Sequence, residues 1–153
     1  MAAANETLKM ARISNIDYAA ATDYATAAVK GFGLAYQDLA HINDVYSNLA
    51  AKTAADTEEI SIAMSKVASI AHSTGMELET TAAFLTQIIA TTREAPETAG
   101  TALKTVIARF AEVKKLISQG EITGTDEEGT EIDVNNIETA LKTAGVALRD
   151  TTG

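Results

Sequence analysis

Thirty of the 153 residues are alanine, and there is no tryptophan, no cysteine and a single proline. Alanine has the strongest helix propensity and lets two helices approach closely, so this composition suits helices packed round a thin core. A β-sandwich would need turn-forming prolines and strands rich in aromatic and β-branched residues. Aromatic residues make up 5% of this chain. Leu, Ile, Val and Phe together number 33, which is a small supply of large apolar side chains for a chain of one-domain length.

Charge narrows the chemistry. Twenty-one acidic residues against twelve basic ones leave a net charge of −9. A surface that neutralises phosphates needs a basic stripe, and none is found, so direct nucleic-acid binding is not expected. The lack of cysteine excludes a disulfide scaffold, a thiol nucleophile and a cysteine-ligated zinc site. Residues Met1 to Thr7 lack the basic and then apolar pattern of a secretory signal. No apolar run approaches the ~18 residues that would span a bilayer.

Periodicity divides the chain into helices. Ile16, Ala20, Ala27, Ala28 and Phe32 recur at helical spacing, with Ser14 or Asn15 as the expected cap. A second helix is expected over Tyr36 to Lys52, with Leu39, Ile42, Val45, Tyr46 and Leu49 as its stripe. Asp56 and Glu59 have capping-box spacing, and Ile60, Ala63, Met64, Val67, Ala68 and Ala71 follow on one face. Gly75 stands where a left-handed cap residue belongs. A fourth helix spans Glu77 to Thr92, burying Leu78, Ala82, Leu85, Ile88 and Ile89. Pro96 opens a fifth, because its missing N–H costs nothing at the first helical position.

That fifth helix, to about Ser118, carries Ala99, Leu103, Val106, Phe110, Val113 and Ile117 as a heptad-like seam. Lys114 and Lys115 are placed to complement its C-terminal dipole. From Gly120 the texture changes: Glu121–Thr123 and Thr130–Val134 read as two strands round an acidic loop. Asn135 with Glu138 repeats the capping-box spacing before a short helix, Ile137 to Ala144, and Val146 to Asp150 reads as extended. The expected fold is mainly all-α: a compact bundle of about five to six helices with a small β-hairpin near residues 121–134. Residues 1–14 read as an N-terminal segment, disordered or a frayed helix, residues 15–119 as a helical core, and residues 120–153 as the end of the same domain.

No residue set matches a catalytic or metal-binding pattern. His41 and His72 each lack a second histidine at i+4. With Gly129 at the turn of a calcium loop, Gly124 and Asn135 fall where Asp and Glu ligands are needed. Gly31-Phe32-Gly33 lacks the third glycine of a dinucleotide fingerprint. The expectation is a protein without enzyme activity, cofactor or metal.

The stretch from Thr91 to Phe110 stands apart. It reads as a helix end, a proline-started turn and a new helix whose first turns use Ala99, Gly100 and Ala102. Gly100 costs about 1 kcal/mol relative to alanine inside a helix, and the close approach of another helix would justify it. On that reasoning Gly100→Leu destabilises by about 1–3 kcal/mol. Thr101, Lys104, Thr105 and Arg109 fall on the opposite, polar side.

This stretch resembles the core region of phage tail tape measure proteins. The pattern Thr-Arg-x-x-x-Glu-Thr-x-Gly-Thr-Ala-Leu-Lys-Thr-x-x-x-Arg reads from Thr92 to Arg109. The segments Asp56 to Gly75 and Asn136 to Asp150 are similar to flanking parts of that family, so the resemblance runs from about Val29 to Gly153. Glu77 departs from it, standing where the family commonly has a serine cap. The resemblance implies a module of a longer virion or prophage protein, acting in tail assembly, length determination and genome ejection. Implied partners are other copies of the chain and the tail tube, tail tip and tail-assembly chaperone proteins. The implied location is the tail lumen of the virion, after synthesis in the bacterial host cytoplasm. The structural and interaction residues it points to are Thr92, Arg93, Ala99, Gly100, Thr101, Ala102, Leu103, Lys104, Thr105, Val106, Arg109 and Phe110. The alternative is a generic helical-bundle interaction module unrelated to phage tails.

Overall fold

The computed structural model describes residues 2–119, 123–125, 129 and 131–143. Among these are seven α-helices, one 3-10 turn and a two-stranded antiparallel hairpin. The residues group into two compact units, Met1–Ile107 and Ala108–Gly153. The division falls inside a helix, rather than at residue 119 or 120 where the texture of the sequence changes.

The first unit begins with α1 (Ala2–Ile13), a formed helix where a disordered or frayed segment was expected. Ser14 and Asn15 end this helix instead of capping the next. Asn15 takes a left-handed conformation (φ 53°) and Ile16 N–H donates back to the Ala11 carbonyl at 3.0 Å, a helix-ending arrangement that asparagine tolerates well. The cap of α2 (Tyr18–Gly31) is Asp17, whose carboxylate accepts from Ala20 N–H at 2.8 Å. After α2, a 3-10 turn (Tyr36–Asp38) takes the place of the first turn expected of the next helix. Asp38 there accepts from Ala35 N–H at 2.8 Å. α3 (Leu39–Ala50) then buries Leu39, Ile42, Asn43 and Tyr46.

α4 (Thr57–Ser73) is the central element, packing against α2, α3 and α5 (Leu78–Thr92). Its capping box is formed in full, with Asp56 accepting from Glu59 N–H at 2.8 Å and Glu59 accepting from Asp56 N–H at 2.9 Å. Ile60, Ala63, Met64, Val67, Ala68 and Ala71 are all buried, as their spacing predicts. Gly75 closes the helix at φ 84°. The alanines act as spacers: a Cβ on Gly31 of α2 would stand 2.5 Å from the Ala68 Cβ of α4, so these two helices run at near backbone contact.

In α6 (Pro96–Gln119) the expected seam is only partly inward. Ala99, Leu103 and Ile107 belong to the core of the first unit, whereas Val106 is 48% exposed and Phe110 45% exposed. A straight helix with 3.6 residues per turn drifts away from a 3.5-residue seam. The inward position after Leu103 is therefore Ile107, one residue beyond the expected Val106. Lys114 and Lys115 lie before the last turn, and Lys115 pairs with Glu112 at 3.2 Å instead of serving the helix end.

In the second unit, Val113 and Leu116 of α6 pack with Ile132 and Val134. The strands are β1 (Thr123–Thr125) and β2 (Glu131–Asp133), paired Thr123 with Asp133, Gly124 with Ile132 and Thr125 with Glu131. Thr123 of the expected first strand lies in β1, while Glu121 and Ile122 fall outside the described residues, as does Val146 to Asp150. α7 (Val134–Thr143) starts earlier than predicted because Asp133 is its cap, accepting from Asn135 N–H at 2.8 Å. Asn135, the expected cap, is inside the helix.

Candidate interaction surface

The α5–α6 corner is built by local hydrogen bonding. Thr92 ends α5, its Oγ1 donating to the Ile88 carbonyl at 2.9 Å and accepting from Glu94 N–H at 3.2 Å. Arg93 takes the left-handed conformation at φ 58°, a position that usually falls to glycine or asparagine. Its guanidinium Nη1 donates to the Ala54 carbonyl at 3.1 Å, tying the corner to the loop before α4. Pro96 then starts α6 as the first helical residue.

Beyond the corner, the helix sorts the sequence-predicted residues into two sets. Ala99, Gly100 and Leu103 are buried. A Cβ on Gly100 would overlap the Ala63 carbonyl oxygen of α4 and lie 3.0 Å from both Ala63 Cα and Lys66 Cβ. Thr101, Ala102, Lys104, Thr105, Val106 and Phe110 are exposed, and Arg109 is half-buried. Thr101 Oγ1 donates to the Glu97 carbonyl at 2.8 Å and Thr105 Oγ1 to the Thr101 carbonyl at 3.0 Å. Both hydroxyls are therefore satisfied within the helix. Glu97, Thr98, Thr101, Ala102 and Thr105 line a shallow depression of about 440 Å³.

Titratable groups are dispersed. His41 Nε2 and Glu79 Oε1 form an exposed pair at 2.5 Å. His72 meets Phe32 edge to face, with ring centroids 6.3 Å apart. The hydrogen bond from His41 holds the Glu79 carboxyl below its usual range, assisted by the Glu79 backbone N–H. Burial, then the charges of Glu58, Glu97, Asp23 and Asp17, push the Tyr24 phenol up. Burial alone pushes the Tyr46 phenol up strongly. Among the described residues, no group of three or more His, Cys, Asp or Glu side chains is placed to hold a metal ion. No described helix is long and apolar enough to cross a membrane.

What the geometry offers is helix surface, and the chain matches the phage-related minor tail protein family over residues 1–152. It belongs to that family. The chain is also 33% identical over 145 residues to the tape measure protein of Pneumococcus phage Dp-1, an alignment that takes in 92% of this chain. The chain spans only 12% of that relative's length. No solved structure gives a significant match. Membership places the chain in a family of phage-related tail proteins.

Residues that sequence reasoning missed include Ile107 and the fully buried polar residues Asn43, Thr81 and Thr86. The i+4 step from Leu103 could have found Ile107. Thr81 and Thr86 donate to carbonyls four residues back, and nothing in a helical threonine announces that. Asn43 donates to the Glu6 carbonyl at 3.0 Å, a link to α1 across 37 residues.

Proposed function

We propose that this chain is a folded, non-enzymatic module of a tape measure protein, acting in tail assembly and length determination and in genome ejection. The observation that carries the reading is the similarity to a tape measure protein over 92% of the chain. Its partners on this reading are other copies of the same chain and the tail tube, tail tip and tail-assembly chaperone proteins. It works in the tail lumen, after synthesis in the host cytoplasm.

Length gives the module a distinct part in that work. Stretched as one helix, 153 residues would reach about 230 Å at 1.5 Å per residue. Its longest helix, α6, has 24 residues and spans about 36 Å. A unit folded this way adds little to a ruler and instead offers surfaces to neighbours.

The test is an in-frame deletion of this segment from the parent gene in a phage, with tails imaged by electron microscopy. The expected result is loss of complete tails, or tails altered in length by much less than the ~230 Å that an extended segment would contribute. Tails of unchanged length with undiminished infectivity would overturn the reading.

A further inference from the structure

α1 carries two of its three large apolar side chains, Leu8 and Ile13, on the outside and buries the third, Met10. Its inward positions are Ala3, Thr7, Met10 and Ala11, with Ser14 just beyond its end, all wholly or partly buried. Its outward positions include Leu8, 50% exposed, and Ile13, 38% exposed, with Tyr18 at the start of α2 49% exposed. A helix with apolar residues on both sides is characteristic of one covered on both. Two shallow depressions flank Leu8, one reaching Ile13 and the other Tyr18, and Arg12 lines both. Arg12 is exposed and makes no ion pair or hydrogen bond among the described residues. Lys9 stands beside it, shared between Glu6 at 3.7 Å and Asp44 at 3.9 Å. In a chain of net charge −9, this is a bulky face with a cationic edge.

The first half of α6 has the opposite character. Thr98, Thr101, Ala102 and Thr105 make a surface of small side chains, and Val106 extends it. Because the hydroxyls of Thr101 and Thr105 are bonded within the helix, their demand for an outside partner is met. Glu94 and Glu97 stand at the N-terminal end of this face, both exposed, and Lys104 follows two turns beyond Glu97. Eleven residues of α6 from Pro96 to Val106 and twelve in α1 each correspond to about 16–18 Å of helix. Bulky side chains against small ones, and cations against carboxylates, are the two conditions for close helix packing with a defined partner.

We infer that the α1 face of one copy, centred on Leu8 and Arg12, docks on the α6 face of a second copy, centred on Glu97 and Ala102. This deepens the reading of the chain as a tail module by naming a self-contact. Each copy bears both faces, so the contact is heterologous: it closes into a ring or continues as an open chain. A face pairing with its own kind would set bulk against bulk, or leave gaps between small residues, and would place like charges together.

The 153-residue chain itself provides the test, by sedimentation and light scattering from micromolar to near-millimolar concentration. The wild type is expected to gain mass with concentration, and to do so more weakly at high salt. Two double variants disable one face each: Leu8→Ser with Arg12→Glu, and Glu97→Lys with Val106→Ser. All four sites are exposed, and circular dichroism checks that each variant keeps its helices. Each variant alone should be monomeric, with self-association weakened roughly tenfold or more. An equimolar mixture should form dimers and nothing larger, because one intact α1 face and one intact α6 face remain. A wild type that stays monomeric, a variant that self-associates unaided, a mixture that stays monomeric, or salt-independent association would each overturn the inference. None of these outcomes touches the tail role, which the deletion in the phage tests separately.

Discussion

Replacing Gly100 by alanine sets two quantities of known size against each other. Alanine is better than glycine inside a helix by about 1 kcal/mol. Opposing this, the new methyl would overlap the Ala63 carbonyl oxygen and lie 3.0 Å from Ala63 Cα and Lys66 Cβ. Non-bonded carbon atoms prefer about 3.5–4.0 Å, and two of these three obstacles are backbone atoms that no rotamer change can move. α6 would have to withdraw from α4, loosening the packing of Ala99, Leu103 and Ile107. Overpacking of this kind costs about 1–3 kcal/mol, so with the propensity gain subtracted Gly100→Ala should destabilise by up to about 2 kcal/mol. Urea denaturation followed by far-UV circular dichroism would read this as a midpoint lowered by up to roughly one molar. Ala102→Gly, at an exposed site two residues on, is the control and should cost about 1 kcal/mol from propensity alone. At one site alanine is then the worse residue and at its neighbour the better one. A midpoint raised by Gly100→Ala would refute the close contact and the reasoning built on it.

The helix caps give predictions of opposite sign in thermal denaturation. Asp56→Ala removes the acceptor for Glu59 N–H and should cost about 1 kcal/mol. Glu77→Ser should gain up to about 1 kcal/mol, because Glu77 holds the cap position of α5 in extended geometry but makes no side-chain cap bond. Tyr46→Phe should stabilise by about 1 kcal/mol in chemical denaturation, since the buried Tyr46 hydroxyl finds no hydrogen-bond partner among the described residues; a loss of stability would show that the hydroxyl is satisfied after all. Glu79 titrates below its usual range because His41 hydrogen-bonds it. Its small contribution to stability is therefore present above the ordinary carboxylate range and is lost as pH falls through its lowered value. His41→Ala should move the Glu79 titration upward in an NMR pH series, and an unmoved titration would contradict the pairing.

The helices were legible where the signal was local. The Asp56–Glu59 box, the stripe from Ile60 to Ala71 and the proline start of α6 depend on spacing within one turn or one face, and each is found at its expected place. Misreadings arose where two local signals competed. Ser14 and Asn15 could cap a helix or end one, and the choice rested on α1 being a helix, which its weak pattern of small residues did not announce. Asp133 outcompeted Asn135 because the strand before it ends one residue earlier than alternation suggested. On the candidate surface, the small residues of α6 were legible but their division into faces was not. Val106 and Ile107 differ by one position, and only the actual pitch of the helix and the placement of Ala63 decide between them.

The near-touching backbones of α2, α4 and α6 give this bundle a particular mechanical character. Where large side chains interdigitate, two helices can slide some distance before their contacts are lost. Gly31 against Ala68 and Gly100 against Ala63 leave no such slack. A gap of about 0.5–1 Å already forfeits a quarter to a half of a dispersion contact, so attraction vanishes almost as soon as separation begins. Such a fold is stiff up to its limit and then fails abruptly. Pulled from its two ends, it should resist with little extension and rupture over a very short distance, more like a brittle solid than a yielding one.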